Sequence, residues 1–187
     1  RRWSGTFATM TDLGHDTPSL YFTIIDMVYE RYHHQEGVRT INRKGLLKAN
    51  ADRSVAAVKP AYCAMQHLTA VFDDRLARLP EVRYETDTKR SLALYGYQER
   101  ESSAHALTLW FEDEIPSDSN ETTPVRLTVA DVPFQQPAYV DLREGSVYRI
   151  PEETVTREGA RLTFHDLPVY DSPILVAETG LLPLLQA

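Results

Sequence analysis

The sequence predicts an α+β chain in two parts, a helix-strand-helix unit over residues 1–78 and an antiparallel β-sandwich over residues 79–187. Three observations carry that reading. Leu20 to Ile25 is almost continuously apolar, as in a strand buried on both faces. Ala61, Ala64, Met65, Leu68, Val71 and Phe72 recur at helical spacing behind Pro60, which suits a first helical position. After Pro80 the apolar residues alternate with period two.

In chain order, Trp3, Phe7 and Met10 stand at i, i+4 and i+7, and Gly14 follows, so residues 2–13 read as an amphipathic helix with a glycine stop. Pro18 restarts the chain as the Leu20–Ile25 strand. The polar and aromatic stretch from Asp26 to Thr40 is too long for a plain turn and is a candidate functional loop. The helix opening at Pro60 is expected to run to about Leu76. Beyond it, Leu92 and Leu94; Leu107, Leu109 and Phe111; Val125, Leu127 and Val129; Val140 and Leu142; Leu162 and Phe164; and Ile174 and Val176 each read as a short strand. Turn chemistry separates them, as at Glu144-Gly145, Glu158-Gly159 and Asp171-Ser172-Pro173. The boundary between the two parts falls near residues 77–81.

Composition narrows the function classes. The net charge is −7 at a pI near 5.4, and 20 basic residues are scattered among 27 acidic ones without a stripe, which argues against nucleic acid. Apolar runs such as LYFTII and PILVA fall far short of the ~20 residues of a membrane helix. The single cysteine, Cys63, stands among apolar neighbours on the expected helix and allows no internal disulfide. The chain opens at Arg1 straight into a helical pattern, without initiator methionine or signal peptide, as expected of a natural reading frame that extends upstream.

Three segments carry a family resemblance. They are the run from Tyr21 to Glu30, Gly45-Leu46-Leu47, and Lys59-Pro60-Ala61-Tyr62. In this order they resemble the closing segment of clan A glycoside hydrolases, in particular family 39-like enzymes. The resemblance covers about fifty residues of the chain. It implies that residues 1–78 are the terminal helix-strand-helix unit of a (β/α)8 barrel, with residues 79–187 an accessory β-sandwich. It also implies a secreted or periplasmic parent that cleaves poly- or oligosaccharide. The partners would be the carbohydrate substrate and the remainder of the barrel. The catalytic glutamates of such enzymes sit on earlier strands, and no residue here matches either of them. Since hydrolysis of a glycosidic bond needs a carboxylate pair about 5–10 Å apart on a rigid scaffold, the isolated chain is expected to be inactive.

Within that reading Asp26 is the leading substrate-binding candidate, because it ends the strand at the face where barrel chemistry occurs. It would accept a hydrogen bond from a sugar hydroxyl or orient a catalytic neighbour; the competing reading is a loop-anchoring or helix-capping aspartate. Tyr29 and Glu30 could reach the same cleft, or be ordinary loop residues. No cofactor or metal is expected. His33-His34 with Glu30 and Glu36 lack converging ligand geometry. Asp113, Glu114, Asp118 and Glu121 lack the glycine and terminal glutamate of a calcium loop. Ser102-Ser103 before His105 has no nucleophile-elbow context. Trp110 is either a sugar-stacking platform or, more simply, a cover for the seam between helix and sheet. The alternative function is a non-catalytic carbohydrate-binding or interaction module.

Overall fold

The structure, a computed structural model, describes residues 23–29, 40–113, 115–117 and 119–182. Its elements are β1 (Met27–Tyr29), β2 (Thr40–Asn42), β3 (Leu47–Ala49), β4 (Val55–Val58), α1 (Pro60–Val71), β5 (Leu76–Arg78), β6 (Arg83–Thr86) and β7 (Leu92–Glu99). They continue with β8 (His105–Phe111), β9 (Thr123–Ala130), β10 (Pro137–Asp141), β11 (Ser146–Arg149), β12 (Val155–Glu158), β13 (Arg161–Val169) and β14 (Ile174–Glu178).

The β-rich half builds two antiparallel sheets. One runs in the order β11-β10-β14-β8-β7-β5 and the other β12-β13-β9-β6. The inward residues of both meet in one core. It includes Leu107, Leu109 and Phe111 of β8, Val125, Leu127 and Val129 of β9, Leu162 and Phe164 of β13, and Ile174 and Val176 of β14. These are alternate residues, because successive side chains of a strand point to opposite faces.

The six-stranded sheet is covered on its other face as well. There Leu68, Val71 and Phe72 from α1 and its C-cap join Ala93, Tyr97, Ala106, Trp110, Val140, Leu175 and Ala177 in a second cluster. Three layers result: helix, six strands, four strands. The double cover explains why every residue of β8 is buried, whereas β9 is buried only at alternate positions. Small alanines on β7, β8 and β14 leave room for the helix to approach. Burial pushes the Tyr97 hydroxyl up to about 12, against a hydrogen bond with Thr108 that acts in the opposite direction.

The N-terminal part departs from the predicted barrel unit. Among the described residues α1 is the only α-helix, and it packs on an antiparallel sheet rather than beside a parallel strand. Of the Leu20–Ile25 run, residues 20–22 lie outside the described residues, as does the expected helix 2–13. Ile24 is 65% exposed, and Ile25 makes one isolated parallel bridge, to Leu47. The ladder that follows is antiparallel, β1 against β2. The described residues are therefore a mainly antiparallel β structure with one covering helix, not the end of a parallel barrel. The physical reason is that an apolar stripe specifies burial without specifying the partner. The broad apolar face of the six-stranded sheet satisfies the stripe of α1.

The helix also ends earlier than its pattern suggests. Phe72 is already extended, its N–H capping the Leu68 carbonyl, and Asp73 then accepts the Arg75 N–H at 2.9 Å. This Asx turn competes with the helix and frees Leu76 to begin β5.

The turn between β10 and β11 is docked onto α1. His67 Nδ1 donates to the Leu142 carbonyl at 3.0 Å, and Gly145 adopts φ +74° with its α-carbon against the His67 ring. A Cβ at Gly145 would lie 2.4 Å from His67 Nε2. Gly145→Ala therefore combines a left-handed backbone penalty of about 1 kcal/mol with a displaced ring and a lost hydrogen bond of about 1 kcal/mol. A fall of about 2 kcal/mol in urea-denaturation stability is expected. An unchanged midpoint would mean that the turn is not seated on the helix.

Candidate functional site

The described residues bring the three resemblance segments to one point. Ile24 and Asp26 flank β3 in a short parallel contact, with the Leu47 N–H donating to the Ile24 carbonyl at 2.8 Å and the Asp26 N–H donating to the Leu47 carbonyl at 2.9 Å. Thr23 precedes them at φ +73°, its hydroxyl donating to the Ile25 carbonyl at 2.6 Å. Across β3, the Lys59 N–H donates to the Leu46 carbonyl at 3.1 Å and places Lys59 immediately before α1.

Asp26 is the centre of this node. Its side chain is fully buried, and Oδ1 accepts from Lys59 Nζ at 2.5 Å and from the Gly45 N–H at 3.1 Å. Lys59 Nζ also donates to the Arg43 carbonyl at 2.9 Å. Oδ2 is buried with no hydrogen-bond partner. Gly45 is required by space: a Cβ there would stand 2.3 Å from the Asp26 nitrogen and 2.4 Å from the Ile25 carbonyl carbon. An ammonium group with one other carbonyl partner thus neutralises a carboxylate that water does not reach. Such a pair contributes little net stability, but it fixes one arrangement of the segments that carry it.

Of the predicted substrate-binding residues, Asp26 points into this packing rather than toward a surface. Tyr29 is half-buried on β1, with its hydroxyl 3.5 Å from Met27 Sδ. Glu30 lies outside the described residues, so only Asp26 and Tyr29 are placed. Sequence reasoning singled out Gly45 and Lys59 as parts of motifs without assigning them to Asp26. The available signal was chemical: a buried aspartate demands a donor, and Lys59 is the cation that starts the apolar helix.

The remaining candidates resolve individually. Asp113 pairs with Arg90 at 2.7 Å, and this hydrogen bond holds its carboxyl below the usual range. Glu114 and Asp118 are outside the described residues, as are His33, His34 and Glu36. Among the described residues no group of three or more His, Cys, Asp or Glu side chains could hold a metal ion. Ser102 Oγ donates to Glu99, while His105 packs edge-on to Phe134, so the two do not form a nucleophile and base. Trp110 is buried in the seam beneath α1, 5.5 Å from Tyr95, and offers no open ring face to a sugar. No described helix is long and apolar enough to cross a membrane. No known family model matches the chain, and no curated protein resembles it significantly.

Proposed function

We propose that this chain is the non-catalytic C-terminal portion of a glycoside hydrolase that acts on poly- or oligosaccharide outside the cytoplasm, carrying its accessory β-sandwich. One observation supports the reading above the others. The segments on which the resemblance rests, at Asp26, Gly45-Leu46-Leu47 and Lys59-Pro60, are far apart in sequence yet meet in a single hydrogen-bonded node. In this role Asp26 is a buried organiser that ties the segment before β1 to the start of α1, and the sugar is bound by residues elsewhere in the parent. The catalytic carboxylate pair would likewise be supplied by the parent.

A second reading, a carbohydrate-binding or interaction module, is favoured by the β3–β4 hairpin. All four residues of β4 are exposed, and Val55 and Val58 are both more than half accessible, which is unusual for an apolar strand in a finished surface. The two readings separate on the natural polypeptide. Intact mass from the source, or the reading frame upstream of Arg1, is expected to show a preceding unit with strand-end glutamates. The purified 187-residue chain is expected to turn over no glycoside. A frame that begins close to Arg1 favours the module, and turnover of a glycoside by the isolated chain would overturn the non-catalytic reading.

A further inference from the structure

The crossover between the two sheets, residues 131–136, is closed over a buried histidine. Val132 and Phe134 insert from it into the sandwich core, with Phe134 6.0 Å from Phe164. Its backbone is held from two sides. Glu178 at the end of β14 accepts the N–H groups of Gln135 and Gln136, the latter at 2.9 Å, and the Gln136 carbonyl accepts the Thr179 N–H at 3.1 Å. From β12, the Arg157 guanidinium donates to the carbonyls of Phe134 and Gln135.

Beneath lies His105, the first residue of β8, 6% exposed and with its ring 6.3 Å from that of Phe134. The Pro133 backbone faces the ring, and Nδ1 is buried without a partner. A neutral ring suits this arrangement: with its one proton on Nε2, Nδ1 keeps its lone pair. A second proton on Nδ1 would create a charged, buried N–H with no acceptor, which is far more costly than an unused lone pair.

We propose that the 131–136 crossover is an acid-released latch, opened when His105 takes up a proton at Nδ1. The groups around the ring do not cancel that cost. From β14 it faces the Glu178 carboxylate, already engaged by two backbone N–H groups. From β7 its register partner is the uncharged Gln98. From the crossover come Pro133 and Phe134, and Arg157 from β12 adds a like charge at the crossover carbonyls. Burial lowers the proton affinity of His105 below its ordinary value of 6.5, with Glu178 and the Pro133 contact opposing in part. The open crossover, with its ring in water, therefore binds the proton more readily than the closed one. Closure is complete above the ordinary imidazole range and weakens as pH falls through it. The polar clasp is then left to hold Phe134 alone.

The test is amide exchange read residue by residue on this chain between pH 7.5 and 5, corrected for intrinsic rates, alongside an NMR titration of the His105 ring. Protection at Gln135 and Gln136 is expected to fall by about tenfold or more, while β8 and β14 amides stay protected. His105→Gln, which keeps a neutral donor toward Pro133, is expected to flatten the profile. The proposal is overturned if Gln135 and Gln136 hold their protection, if they lose it only together with the sheet, or if His105→Gln leaves the profile unchanged. Should His105→Gln fail to fold, the wild-type titration decides. His105 must titrate over the same pH interval in which protection is lost, and separate intervals sink the latch.

Discussion

Replacing Lys59 with methionine is expected to lower the stability of the chain by about 3 kcal/mol, whereas Asp26→Asn costs about 1 kcal/mol. The asymmetry follows from which partner is stranded. Asp26 has no exposed side-chain surface, while the Lys59 side chain is 23% exposed. Without the ammonium group, the carboxylate keeps only the Gly45 N–H at Oδ1, and Oδ2 has no partner to begin with. An uncompensated buried charge of this kind typically costs about 3–5 kcal/mol, and the lower end applies because Lys59 is partly hydrated. Asparagine preserves an acceptor for both Gly45 and Lys59, and Lys59 can turn toward water. The double variant Lys59→Met with Asp26→Asn removes both charges and is expected to be more stable than Lys59→Met alone. Urea-denaturation midpoints of the four proteins provide the measurement, with amide exchange at Gly45 as a local readout. If Lys59→Met matches the wild type, the carboxylate is hydrated, and the sugar-binding reading of Asp26 regains its basis.

The sequence displayed the sheets better than the connections between them. Alternation at Leu107, Leu109 and Phe111, at Val125, Leu127 and Val129, and at Ile174 and Val176 marks strands, because one covered face imposes period two. On β8 the other face carries Ala106, Thr108 and Trp110, whose mixed character does not reveal that α1 covers it. The start of α1 was readable from Pro60 and its stripe, and its end depended on the local competition of Asp73. The N-terminal part misled for a different reason. Leu20–Ile25 has the composition of a doubly covered strand, but the described end of that run takes a positive φ at Thr23 and makes a single bridge. Val55-Ala56-Ala57-Val58 is a strand exposed on both faces and therefore without alternation. Asp26 could be selected from its place in the chain, but its partner lies 33 residues away, a pairing that no local pattern encodes.

Gly45→Ala is expected to be the most damaging single-methyl change in the described residues around the node, with a loss of about 3 kcal/mol. At Gly145 the atom in the way belongs to a side chain, and a ring can turn. At Gly45 the obstruction is backbone, the Asp26 nitrogen and the Ile25 carbonyl carbon, both within 2.4 Å of the added Cβ. Relief requires residues 25–26 to move away from residues 45–47, and that movement stretches the Leu47–Ile24 and Asp26–Leu47 hydrogen bonds and draws Oδ1 away from the Gly45 N–H. Overpacking a closed site costs about 1–3 kcal/mol, and here it also breaks bonds worth about 1 kcal/mol each, so the upper end is expected. Gly180→Ala is the matched control. Its Cβ meets nothing within 4 Å, and the change is expected to stay within about 0.5 kcal/mol of the wild type. Exchange at the Asp26 and Leu47 amides distinguishes a local from a global effect: in Gly45→Ala both should lose protection even under conditions where the sandwich amides keep theirs. If Gly45→Ala and Gly180→Ala behave alike, residues 25–26 do not approach Gly45 this closely, and neither the Asp26 node nor a functional reading based on it survives.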